Sequence, residues 1–290
     1  EDERAWELLS VTDEERRALV ASHGERFAST GVALRLVREA EARIEGDAAR
    51  ADRFAMDALV MLRWLEKEHG GRDYPRVLLG EIEVRACCSL AQTARRRGDL
   101  AAAESQLDRA ANRLGEVGVD VRALYCRVLG LTRADRGRTD EALALLARAA
   151  DLLRQIGEER ERAEVLERAG WLSLRDLGEP LPALDLLQAA SAAFRKAEAP
   201  ASAGAVQLAM AWALHQSGLP DWVVQALDLA RAQVATRPPG DPERVRLEWL
   251  AAWLEANLGA AAPALPTSSR GPLSVALPFE RGLPSSPRGH

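Results

Sequence analysis

Glycine returns along this chain at a fixed interval. Gly98, Gly137, Gly178 and Gly218 stand about 40 residues apart, and each carries similar neighbours at the same offsets. Five residues after them come Ala103, Ala142, Ala183 and Val223. Twelve after them come Ala110, Ala149, Ala190 and Ala230, and seven before come Ala91, Gly130, Trp171 and Ala211. Such a period marks a stacked repeat, because one small unit cannot bury its own apolar stripe and must lean on the next. Residues 123–155, ALYCRVLGLTRADRGRTDEALALLARAADLLRQ, show what a unit contains. Leu129 takes an inward place in a first helix, and Gly130 has no Cβ to hold a neighbouring helix away. Gly137 accepts the positive φ of a turn. Thr139 is placed to cap a second helix, whose first turn carries Asp140 and Glu141 where the helix dipole favours anions. Ala142, Leu145, Leu146, Ala149, Leu152 and Leu153 then recur at helical spacing as one stripe. The unit is a helical hairpin.

Position for position, these units resemble the tetratricopeptide repeat. Leu90 and Leu129 match its consensus Leu, and Leu107, Leu146, Leu187 and Leu227 take its aromatic-or-Leu position in the second helix. The resemblance covers about residues 84–235. It implies an all-α fold: a right-handed α-solenoid, or superhelix, of stacked antiparallel helical hairpins. The period near 40 exceeds the family's 34, which calls for longer helices. Cys87 and Cys126 sit where the consensus has an aromatic residue. Trp171 stands where Gly or Ala belongs, and Ala169-Gly170 just before it suggests a one-residue shift in that helix.

The register divides the chain. Residues 1–30 read as a helical cap, or as the end of a missing upstream domain, with a capping box at Thr12 and Glu15 and an apolar face of Leu19, Val20 and Phe27. Residues 31–258 form the repeat domain, with units at 31–69, 75–118, 121–157, 161–197 and 201–236 and a capping helix at 241–258. The first unit is degenerate, with its turn at Gly46 and a long second helix through Phe54, Leu59, Leu62 and Leu65 that ends at His69-Gly70-Gly71. Pro75, Pro180, Pro182 and Pro220 fall in first helical turns, where proline is tolerated. Arg237-Pro238-Pro239-Gly240 is a firm stop. The last helix carries Trp249 and Trp253, and Gly259 falls where the next turn belongs. Residues 259–290, rich in proline, glycine and serine, read as a disordered tail. The chain opens Glu1-Asp2-Glu3 without a Met, consistent with a fragment of something longer.

Composition narrows the function. Apolar residues make up 47% of the chain and aromatics only 4%, which suits packed helices and not a β-sheet core. A net charge of −5 opposes nucleic acid as a partner. No apolar run is long enough to span a membrane. Cys87, Cys88 and Cys126 show no metal-ligand spacing and read as small buried residues at helix crossings, in keeping with a reducing cytoplasm. His23, His69, His215 and His290 are scattered, and no nucleophile, phosphate-loop or metalloprotease motif is present. The reading is non-enzymatic, with no cofactor and no metal. Two lysines against many arginines fit a GC-rich, bacterial source.

The resemblance further implies a groove lined by the first helix of each hairpin. Carried over position by position, the groove residues are Arg85, Cys88, Gln92 and Arg95; Leu124, Arg127, Leu131 and Ala134; Val165, Arg168, Leu172 and Arg175; and Ala205, Leu208, Trp212 and His215. Arginines beside leucines and a Trp point to an acidic, partly apolar segment of a protein partner. The family's carboxylate clamp also needs Asn, which these positions lack. The competing expectation is that the arginines pair with glutamates on adjacent helices. At chain level the reading is a protein-interaction scaffold, or a sensor or regulatory module of a larger signalling or transcription-regulatory protein.

Overall fold

A computed structural model describes residues 2–68, 74–236 and 238–256. Among the described residues every regular element is a helix. The chain divides into two compact units, Glu1–Arg136 and Gly137–His290.

The first unit opens with three short helices, α1 (Asp2–Ser10), α2 (Asp13–Ser22) and α3 (Gly24–Phe27). The capping box starts α2 as expected: the Thr12 amide donates to Glu15 Oε2 at 2.9 Å, and the Glu15 amide donates to Thr12 Oγ1 at 3.3 Å. Hairpins α4 (Thr30–Arg43) with α5 (Ala48–Glu68) and α6 (Arg76–Arg96) with α7 (Leu100–Ala111) follow, then α8 (Val119–Asp135). α4 packs on α5 and α6, and α6 packs on α5, α7 and α8. Leu8, Val20 and Phe27 of the opening helices share one core with Phe54, Leu62, Ile82 and Leu107. Trp64 of α5 lies across Gly24, where a Cβ would fall 2.2 Å from the indole nitrogen. Arg16 is fully buried, donates to Asp57 Oδ2 at 2.6 Å and stacks 4.0 Å from the Phe54 ring centre. Burial pushes the Asp57 carboxyl above its ordinary range even though Arg16 pulls it down.

The second unit holds α9 (Thr139–Ile156), α10 (Glu159–Leu172), α11 (Pro180–Lys196), α12 (Pro200–Gln216), α13 (Pro220–Val234) and α14 (Pro242–Ala256). Successive helices pack from α9 to α13, and α14 rests on both α12 and α13. α12 is apolar round its whole circumference, as befits a helix with neighbours on all sides, and its Leu208 and Trp212 are 1% and 2% exposed.

The register is visible in the backbone. Gly98, Gly137, Gly178 and Gly218 all have positive φ, from 66° to 79°, and Ala103, Ala142 and Ala183 are fully buried. Gly46 lies in its turn without positive φ, and there Asp47 Oδ1 caps α5 by accepting from the Arg50 amide at 2.9 Å. Thr139 is the first helical residue and not the cap, because Arg138 holds the cap position.

The largest departure from regular repeats is in the unit around Gly178. α10 passes into a π-turn at Ser173–Leu177, closed by the Gly178 amide donating to the Ser173 carbonyl. A π-turn accommodates one extra residue in a helix. That residue moves the small crossing position one place back, from Trp171 to Gly170. A Cβ on Gly170 would lie 2.7 Å from Leu187 Cγ and 2.8 Å from Cδ2, so α10 and α11 touch there. The shift that Ala169-Gly170 suggested is thereby explained.

The expected terminator His69-Gly70-Gly71, residue Arg237, the turn at Gly259 and the tail 259–290 lie outside the described residues. So do the side chains of Trp249 and Trp253.

Candidate partner-binding face

In the first unit the expected groove residues lie on α6 and α8, which pack side by side. Three ionic arrangements lie along them. Arg85 is held by three carboxylates from three helices: Glu81 at 2.9 Å, Glu41 of α4 at 3.1 Å and Asp120 of α8 at 2.7 Å. Burial works against its charge, but these carboxylates prevail and keep the guanidinium above its ordinary range. Arg95 pairs with Asp135 at 2.9 Å, and the two side chains are 7% and 6% exposed. Arg96 reaches Glu45 at 2.6 Å. For Arg85 and Arg95 the arginine–carboxylate expectation is what the structure shows.

Arg127 differs. It is half-buried on α8 and forms no ion pair with a carboxylate among the described residues. Leu124 and Leu131, three residues before it and four after, share its helix face and are also half-buried. Leu124 packs partly against the core of the unit. Across on α6 lies Cys88, close enough for Arg127 to act on its thiol, with Gln92 half-buried one turn further on. The geometry presents one guanidinium, flanked by two leucines, with its charge unspent.

The cysteines serve the packing, as expected. Cys87, Cys88 and Cys126 are buried. Burial pushes the Cys87 thiol up to about 12 and the Cys88 thiol higher still. Neither is a nucleophile at neutral pH.

In the second unit the carried-over positions need correction. Val165, Leu172, Leu208, Trp212 and His215 are buried at 1%, 0%, 1%, 2% and 7% exposure, and a partner cannot reach them. In the first unit Cys88 and Ala134 are likewise buried. The cause in α10 is the π-turn. Counting back from Gly178 without the extra residue turns Val165 and Leu172 outward on paper and Glu164 and Trp171 inward. With the extra residue counted, the groove positions become Glu164, Glu167, Trp171 and Arg175, all half-buried. Trp171 then occupies the place of Gln92 and Leu131 in the first unit. Arg168 is half-buried beside this set, and Arg175 pairs with its neighbour Asp176 at 2.5 Å. In α12 the cause is its all-round packing, and Ala205 alone of its four positions is half-buried. The signal that finds Trp171 is already in the sequence: eight residues separate Gly170 from Gly178, against seven in the other units.

Among the described residues no group of His, Cys, Asp and Glu is placed to hold a metal ion, and no helix is long and apolar enough to cross a membrane. No curated protein is significantly similar in sequence. The crystal structure of BtubC (BKLC) from P. vanneervenii has a similar fold, with a TM-score of 0.57 over 79% of this chain and 85% of that one, at 16% identity. Residues 120–196 match the family model of the tetratricopeptide repeat. With its left-handed turn glycines, buried alanines and packed helix pairs, the chain has an all-α solenoid fold, and its residues 120–196 are similar to tetratricopeptide repeats.

Proposed function

We propose that the chain is a non-catalytic scaffold, working in the cytoplasm, that binds a segment of a partner protein on the α6–α8 face of its first unit. Repeats of this family generally mediate protein–protein interaction. The observation that carries the specific reading is Arg127. Of the expected groove arginines in the first unit, Arg85 and Arg95 are spent on the protein's own carboxylates, and Arg127 is not. A carboxylate of the partner completes it, and apolar side chains on either side cover Leu124 and Leu131. The occupant is an acidic, partly apolar segment. A charge-assisted hydrogen bond in a half-buried place contributes about 1.5–3 kcal/mol, so this one contact accounts for roughly ten- to a hundredfold in affinity. Arg168 and the buried positions of α12 are not needed.

The test is affinity capture from lysate of the source organism on the full chain, with Arg127→Glu and Arg122→Glu compared in parallel. A protein retained by the parent and by Arg122→Glu but lost with Arg127→Glu supports the reading. Equal retention by all three removes the site from this face.

A further inference from the structure

The second unit carries an exposed apolar stripe that its repeat architecture does not require. On α13, Trp222 and Leu229 are 59% and 54% exposed. They are seven residues apart, which places them on one side of the helix about two turns, or roughly 10 Å, from each other. The adjoining arc, Val223, Ala226, Leu227 and Ala230, faces the core. The same two register positions in the other second helices hold Ala102 and Arg109, Glu141 and Arg148, and Pro182 and Ala189. Small or polar residues therefore satisfy the fold at these places, and the Trp–Leu pair has another use.

Charge indicates what covers it. Asp221 and Asp228 precede Trp222 and Leu229 by one residue each, so they run as a parallel acidic stripe beside the apolar one. Both are exposed, and neither forms an ion pair among the described residues. A second copy docking through the same face in a two-fold contact would set these carboxylates against one another. We propose that the Trp222–Leu229 stripe is a second docking surface, and that it takes a basic amphipathic helix of a partner protein. The partner's apolar side chains at a two-turn spacing cover Trp222 and Leu229, and its Lys or Arg residues meet Asp221 and Asp228. Aromatic anchors ringed by complementary charge are where interface energy concentrates. This surface takes the opposite charge to the Arg127 face and stands or falls independently of it.

Two fluorescein-labelled model helices of about fourteen residues, one built of Leu and Lys and one of Leu and Glu, serve as probes for anisotropy titrations on the full chain. The Leu/Lys peptide is expected to bind at least about tenfold more tightly, an advantage that shrinks as salt rises. Trp222→Ser with Leu229→Ser is expected to weaken it about tenfold, and Asp221→Asn with Asp228→Asn to reduce its preference over Leu/Glu. All four residues are on the surface, so an unchanged thermal melt verifies folding. Equal binding of both peptides, or binding indifferent to the Trp222/Leu229 variant, overturns the proposal. Two further results also overturn it. One is self-association in sedimentation velocity that the Trp222/Leu229 variant abolishes, which assigns the stripe to a second copy. The other is a 5-fluorotryptophan resonance of Trp222, assigned through Trp222→Phe, that is shielded from solvent in the dilute chain. That result assigns the stripe to the chain's own residues.

Discussion

Replacing Gly170 with alanine adds one methyl group at the crossing of α10 and α11. On a helix surface the change is favourable by about 1 kcal/mol, because alanine is the better helix former. Here the new Cβ falls 2.7 Å from Leu187 Cγ and 2.8 Å from Cδ2. Leu187 is fully buried, and the Ala183 carbonyl oxygen stands 3.5 Å from the same point, so neither side has open space to yield into. Forcing an extra methyl into a close-packed site costs about 1–3 kcal/mol, which leaves a net loss of up to about 2 kcal/mol after the helix gain. Leu187→Ala alone removes buried carbons and costs about 2–5 kcal/mol. The double variant puts the new methyl into the space that Leu187 vacates, so its loss falls short of the sum by at least about 1 kcal/mol. Urea unfolding followed by circular dichroism measures all three. A Gly170→Ala chain more stable than the parent, or losses that add within about 0.5 kcal/mol, would refute the claim that the π-turn moves the crossing from Trp171 to Gly170.

Three further outcomes follow from named contacts. Asp135→Ala strands the buried guanidinium of Arg95 and lowers stability by about 3–5 kcal/mol, whereas Arg95→Met with Asp135→Leu recovers most of that, as urea melts of the set will show. Cys87, whose thiol is pushed up to about 12, stays unreactive toward a disulfide reagent at pH 8 until the chain is unfolded in guanidinium. Glu159 is held below its ordinary 4.5 first by the hydrogen bond from Lys196 and also by Arg162, against the effect of burial. The stability it contributes is therefore present above pH 4.5 and is lost as pH falls through its folded-state pKa. NMR titration of the Glu159 carboxyl in Lys196→Met should move its midpoint upward, toward but not onto the ordinary value.

The fold was legible because its determinants are local. Turn glycines need positive φ, and alanines five residues later must be small where helices cross, so spacing alone locates Gly98, Gly137, Gly178 and Gly218. The site was legible only in part. Counting positions along a helix supposes 3.6 residues per turn throughout, and the π-turn at Ser173–Leu177 breaks that count. Leu172 was thereby placed outward and Trp171 inward, the reverse of what is found. Groove positions also suppose that every first helix has a free side. α12 does not, because its apolar circumference recruits neighbours that bury Leu208 and Trp212. Which arginine is spent is a three-dimensional question. Glu41, Glu81 and Asp120 converge on Arg85 from three helices, and nothing in their sequence positions singles out Arg127 as the one left over. Trp222 shows the opposite limit, since its helical register was readable while its exposure was not.

The measurement that bears most directly on the central claim is peptide display against the full chain, run beside Arg127→Glu under the same conditions. The parent should enrich two classes of peptide: acidic segments with apolar neighbours, and basic amphipathic ones directed at α13. Only the acidic class should disappear with Arg127→Glu, replaced by sequences that place Lys or Arg at the same position. An acidic class that survives the substitution unchanged would contradict the assignment of Arg127 as the partner's carboxylate receptor.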